Sequence, residues 1–545
     1  MGALRSLGAA AIVAAVLLTG CTKVTSGGPV VRSRAIPGVV RIVGAGSMDS
    51  AVPELSAIIS STDAGMFWAG WFFTVNERGD LEPDLATEIP TLENGGISRD
   101  GLRITYHLRR GVLWHDGFPF TARDAIFTWQ QIMNPANNLL SREGYNQIAS
   151  MTARDPYTLV VRLKRPYSPA VASFFGPSLV PECVLPEHLL RGLRDLNHAA
   201  YNRQPIGTGP FIVEHFDPSS GFIMKANPHY WRGPPKLREV RFMLVGDENT
   251  RVVEMRSGEA DLFYDPGTRL VPELATIPDT HELHTVFNEF WYLSFNLTHP
   301  PLDDKRVREA IAMAVDKDYI IRTVLHGAAR PAQSDQPAFS WAFDPSVHAP
   351  SYDPAAAAKL LDAAGWRAGP DGIRGRLGKP LDLEYAFDNN LGDAARIAQI
   401  FQNLMTKIGI TVHLKGYPES LYYAAKPAGG ILNNGRFDIA HEGWIGGVDP
   451  DDKTLWTCDE RPPHGFNQAL LCDPRIDAQE RVALSSYDRS VRKRAYSEIQ
   501  HLIADDVPVV FLYWTMRNDD VRDALRGYRP APSVTSFWNS WEWSI

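Results

Sequence analysis

The chain has 545 residues, too many for one hydrophobic core, so two or more lobes are expected. Apolar residues make up 44% and charged residues 22%, the balance of a globular protein. A formal net charge of −8, without any basic run, argues against nucleic acid as a partner. The four cysteines, Cys21, Cys183, Cys458 and Cys472, form no CxxC pair, so neither a zinc site nor a redox centre is indicated. Cys458 and Cys472 flank a short polar loop that an exported protein could bridge or could leave as two free thiols, and Cys183 reads as a lone core thiol.

Residues 1–21 read as a targeting segment. Arg5 supplies the positive charge, and the apolar run 7–18 is too short to span a bilayer comfortably. The run ends Leu18-Thr19-Gly20-Cys21, which is similar to a bacterial lipobox and makes Cys21 the lipidated residue. Residues 22–38, rich in Gly, Ser and Pro, read as a flexible tether. Residues 60–72 form a polar turn followed by an aromatic run. Leu102, Ile104, Tyr106 and Leu108 alternate with polar residues, the period of a half-buried strand. Asp116-Gly117 turns the chain, and Thr121 with Asp124 makes a capping box for a helix that Pro135 ends.

Further on, 158–163 alternates as a strand. Gly258 closes a helix, and Val307, Ala310, Ile311 and Ala314 form one face of another. Asp353-Pro354 starts a helix that Gly365 ends. Ile397, Phe401, Leu404 and Ile408 repeat at helical spacing before a strand at 410–414. A last helix at 495–503 leads into an apolar strand at 507–514. Strands alternating with helices indicate α/β layers.

No enzyme constellation accompanies this pattern. His281-Glu282-Leu283-His284 is one residue short of the metalloprotease spacing, and GxSxG, SxxK and P-loop motifs do not occur. Asp449-Pro450-Asp451-Asp452 lacks the ligand spacing of a calcium loop and reads as an acidic surface turn. No catalysis, cofactor or metal is expected.

Four ordered strings point to a family. The first runs Leu108-Arg109, Gly111-Val112, Trp114, Asp116-Gly117, Pro119-Phe120-Thr121-Ala122 and Asp124. The others are 205–211 with Asn227 to Trp231, 252–262, and 291–317. Together they resemble the extracytoplasmic solute-binding proteins of peptide-importing ABC transporters, the oligopeptide/dipeptide/nickel family.

The resemblance implies an α/β, two-lobed periplasmic-binding-protein type II fold with an extra β-rich subdomain. Residues 39–288 and 516–545 would form lobe one, with 79–200 as its inserted subdomain, and 289–515 would form lobe two. It further implies a monomer that binds a peptide or another small solute between the lobes. That solute would be passed to a permease and its ATPases, and membrane attachment would be through the lipid alone. Cys458 and Cys472 would be bridged, as family members close a small loop there.

Ligand contacts would come from the turn Ser61, Thr62 and Asp63, and from Trp444, Ile445, Gly446 and Gly447. The family's ammonium-binding aspartate falls on Gly447, with Asp449 two residues later as its substitute. The arginine that holds a dipeptide carboxylate falls on Asp388. Both charged anchors are thus altered, which favours longer peptides, or an oligosaccharide stacked on Trp68, Trp71, Trp291 or Trp444; a nickel complex is the family's further ligand class, and an envelope hydrolase is the alternative outside binding.

Overall fold

The computed structural model describes residues 35–56, 58–139, 141–142, 144–177, 182–533 and 536–545; Cys21 and most of the tether lie outside them. The central feature is an eleven-stranded sheet built on two long strands. In chain order its early strands are β1 (Val39–Gly44), β7 (Phe211–Asp217), β8 (Gly221–Ala226), β9 (Glu239–Leu244) and β10 (Leu262–Phe263). Three short strands, β13 (Arg367–Ala368), β14 (Arg374–Arg376) and β15 (Lys379–Pro380), form a separate small sheet. The central sheet runs β17 (Thr411–Tyr417), β16 (Asp382–Asp388), β18 (Ile439–Ile445), β11 (Thr280–Phe295), β19 (Val509–Arg522), β10, β1, β9, β8, β7, and β12 (Ala329–Pro331) pairs with β19.

β11 and β19 pair antiparallel, with a gap in the pairing between Val286 and Phe290 and a further register shift between Trp291 and Tyr292. Thr280 to Val286 pairs with Arg522 to Met516, the register shifts, and pairing resumes at Phe290 opposite Trp514. β10 joins β19 on one side of the break, and β18 joins β11 on the other. The buried apolar residues divide at the same place. One core draws on 40–71, 183–264 and 521–543, whereas two others lie within 290–514. The two long strands therefore carry the chain between two lobes.

A further core, drawn from 72–184, belongs to the inserted subdomain. It packs beneath the antiparallel sheet β4 (Arg103–His107), β6 (Thr158–Leu163), β5 (Ile148–Asp155), beside the hairpin β2 (Phe73–Val75) and β3 (Leu81–Pro83). Ile104 and Tyr106 of β4 are fully buried while Arg103 and His107 are exposed, so the alternation has one face to bury. Thr121 and Asp124 make the reciprocal capping bonds of helix Ala122–Met133. Gly258, at φ +82°, ends helix Glu248–Ser257 in the left-handed conformation that glycine adopts without strain.

Two elements run past their expected bounds. Helix Arg489–Asp506 begins six residues before 495, because Asp488 caps a first turn whose Arg and Lys residues show no apolar period. β19 extends eight residues past Trp514 through Arg517, Asn518, Asp519 and Asp520, which are polar yet fully buried. Groups from far along the chain donate there, as the Asp265 amide does to Asp519 (2.9 Å). A hydrophobic pattern does not register such a strand.

Candidate ligand-binding cleft

The loop after β18 faces the junction of the lobes. The amide of Gly446 donates to the Asn288 carbonyl (2.7 Å), and Asn288 Nδ2 donates to the Gly447 carbonyl (2.8 Å). Asn288 lies inside the register break of β11, so the loop is tied to the point where the lobes join. A Cβ at position 446 would sit 2.7 Å from Asn288 Nδ2, so any larger residue there would displace the Asn288 amide from the loop.

Asp449 accepts two bonds from Arg492 of helix Arg489–Asp506, at 2.8 and 2.5 Å, and both side chains are more than nine-tenths buried. Such a forked pair neutralises the carboxylate and fixes its orientation. The Arg492 guanidinium also lies 5.1 Å from the Trp341 ring, and Arg489 approaches the same ring at 5.1 Å.

Asp452 is buried and accepts from Gln336, and the neighbouring carboxylate of Asp335 accepts from Trp456 Nε1 (2.7 Å). The expectation of an acidic surface turn at 449–452 is therefore corrected. Pro450 and Asp452 are buried and Asp449 is paired, because the loop forms a wall of the interlobe space. Burial pushes the Asp335 carboxyl up to about 6.

The facing wall comes from the other lobe. Gly79, Asp80, Pro532 and Ser533 lie opposite Phe339 and Trp341. A neighbouring cavity of about 430 Å³ continues between the subdomain and the second lobe, lined by Asp80, Thr91, Ser168, Asp449 and Tyr487. The lobes also touch directly. The Ser168 amide and hydroxyl donate to the carbonyls of Leu484 (2.8 Å) and Ala483 (2.9 Å). Tyr487 donates to the Tyr167 carbonyl (3.0 Å), and Thr268 donates to Asp393 (3.0 Å). The cleft is in a closed form, with polar groups on both walls.

The residues expected to contact ligand fall into two groups. Gly446, Gly447 and Asp449 line the cleft. Ile445 and Trp444 are half-buried on β18 beside it, with the Trp444 ring 5.4 Å from that of Phe466.

Ser61, Thr62 and Asp63 do not line either cavity. They lie within helix Ile59–Trp68 rather than in a turn before it, and all three are buried. Ser61 donates to the Ser50 carbonyl (2.9 Å), while Asp63 accepts from Tyr264 and lies 3.9 Å from Arg517 of β19. Burial raises the Asp63 carboxyl to about 7 in spite of that arginine.

Asp388 ends β16, is 2% exposed and accepts the Asn390 amide (2.9 Å). Trp68 and Trp71 are fully buried in the first lobe's core, which removes them as stacking surfaces. Sequence reasoning missed Asn288, Trp341, Arg489 and Arg492. The pairing of Arg492 with Asp449 crosses 43 residues, and no local motif marks it.

Cys458 and Cys472 are joined, with their Cα atoms 4.5 Å apart, and Cys183 is free and buried. Among the described residues no group of three His, Cys, Asp or Glu side chains could hold a metal ion, and no helix is long and apolar enough to cross a membrane.

A two-lobed fold with ligand-sized space between the lobes agrees with comparison to known proteins. The family model for bacterial extracellular solute-binding proteins, family 5, matches residues 80–463. Di/tripeptide-binding protein 2 of Pseudomonas aeruginosa is 30% identical over 480 residues, covering 84% of this chain and 87% of its own. Oligopeptide-binding protein AppA of Bacillus subtilis is 27% identical over 485 residues, covering 87% and 85%. The crystal structure of NikZ from Campylobacter jejuni with Ni(L-His) superposes with a TM-score of 0.75 at 25% identity, covering 94% of this chain and all of that one. This chain belongs to family 5 of the bacterial extracellular solute-binding proteins, the extracytoplasmic receptors of ABC importers, which bind a solute and do not transform it.

Proposed function

We propose that the protein captures peptides longer than dipeptides between its lobes and delivers them to the permease and ATPases of an importer, while Cys21 anchors it by lipid. In this reading residues 39–288 and 516–545 form lobe one, 79–200 is the inserted subdomain, and 289–515 forms lobe two. The break in pairing between Val286 and Phe290 supports that division.

The observation that carries the peptide-length reading is the fate of the charged anchors. Asp449 is consumed by Arg492, the Gly447 carbonyl is held by Asn288, and Asp388 is turned to its own chain. A dipeptide has one ammonium and one carboxylate and little else to hold. Enclosing them without partners would cost several kcal/mol. A longer peptide extends its termini away from the closed centre and pairs its backbone with the cleft's amides and carbonyls. The relatives named for oligopeptides and for di- and tripeptides place peptides among the ligands of similar proteins.

Calorimetric titration with a dipeptide, a hexapeptide and a short oligosaccharide tests the reading. The hexapeptide is expected to bind tightest. Sub-micromolar binding of the dipeptide alone, or of the oligosaccharide alone, would contradict it. The lipid anchor is tested by Cys21→Ser, which should leave the protein unprocessed or release it from the detergent phase; processing and partition like the wild type would refute it.

A further inference from the structure

A third cavity, of about 760 Å³, lies between the inserted subdomain and the disulfide-closed loop. Gln147, Arg165 and Tyr167 face Asp451, Lys453 and Glu480 across it. Glu480, on helix Pro474–Ser485, is 1% exposed, and neither of its carboxylate oxygens has a hydrogen-bond partner. A carboxylate taken out of water without a partner is strongly destabilised.

The charges around Glu480 do not supply that partner. Asp335 and Asp451 are acidic and push its pKa upward. Lys453 is bound by Glu460 and lies 3.6 Å from Asp459. Arg492 is taken by Asp449, and Arg165 donates to Gln147. On the same helix, Asp477 accepts the Cys458 amide and Arg481 is exposed.

We infer that this cavity is a subsite for a basic group of the ligand, the ammonium or guanidinium of a peptide side chain, and that Glu480 is the carboxylate that receives it. The inference rests on the reading of the ligand as a peptide. Without a cation beside it the Glu480 carboxyl favours its protonated form, because burial, then Asp451 and Asp335, raise its pKa well above the usual glutamate range. The arriving cation replaces that proton. One carboxylic acid becomes one carboxylate paired with the cation, and one proton leaves for solvent.

The sign of the linkage follows. A raised folded-state pKa leaves stability intact below the ordinary glutamate value and diminishes it as pH rises towards the folded value. Glu480→Gln should therefore raise Tm at pH 8 and leave it nearly unchanged near pH 4.5. Binding of a cationic ligand should strengthen over the same rise in pH.

The test compares two hexapeptide series at pH 8, one with lysine and one with Nε-acetyl-lysine placed at each position in turn. At one position lysine should bind about tenfold tighter than its acetylated form, the worth of one charge-assisted bond, and Glu480→Gln should erase that difference. Titration in two buffers of different ionisation enthalpy should show close to one proton released. Equal affinities at every position, or a preference that survives in the Gln variant, would overturn the subsite while leaving peptide binding intact. Absence of binding by every hexapeptide would instead fell the peptide reading. The subsite is then decided by agmatine: a Tm rise in wild type that Glu480→Gln lacks supports it, and no rise overturns it.

Discussion

Asp449 shows what a single residue's position does and does not tell. Its place after Trp444 marks it as part of the cleft, and the structure puts it on the cleft wall. Whether its charge is available to a ligand depends on Arg492, which reaches it from another element with two bonds of 2.8 and 2.5 Å. Removing the carboxylate leaves a buried guanidinium with no counter-charge, beside the Tyr496 hydroxyl at 3.1 Å and the Trp341 ring. Asp449→Asn should therefore lower the unfolding free energy by about 3 kcal/mol, read by denaturant titration, and adding Arg492→Met should recover much of the loss. Unchanged stability with abolished binding would identify Asp449 as a ligand anchor instead. The same distinction applies to Asp63, whose family position suggests ligand contact but whose carboxyl is taken by Tyr264 and the nearby Arg517.

At the level of elements, capped and amphipathic segments were legible and polar buried ones were not. The capping box at Thr121 and the glycine stop at Gly258 stand where local chemistry puts them. The far half of β19 was missed because Arg517 to Asp520 are buried polar residues, with Arg517, Asn518 and Asp519 bonded to Ser536, His284, Asp265 and Tyr528, so burial leaves no apolar trace in the sequence. The helix start at Arg489 was missed because its first turn carries Arg489, Ser490 and the buried Arg492 in place of an apolar period. The loop closed by Cys458 and Cys472, 14 residues apart, connects the cleft loop to helix Pro474–Ser485 and so supports one wall of the 760 Å³ cavity. Reduction should cost about 3 kcal/mol in the chain-entropy account, measurable as a lower denaturation midpoint, and non-reducing peptide mapping should recover the two half-cystines together. Two alkylated thiols in unreduced protein would contradict the pairing.

On the scale of the whole molecule, two lobes share one sheet through β11 and β19, and the gap in their pairing between Val286 and Phe290 is where Asn288 ties the cleft loop to the junction. The contacts of Ser168, Tyr487 and Thr268 bridge the two sides of the cleft. The two-lobed fold class was readable from the family signatures. The cleft's chemistry was less so, since its walls are assembled from segments near 80, 168, 288, 340, 449, 490 and 532. A closed cleft retains what it has bound. Native mass spectrometry of protein purified from its envelope without refolding therefore tests the central claim most directly. The account predicts added mass that fragments into peptides of more than two residues, and a retained dipeptide or a sugar alone would contradict it.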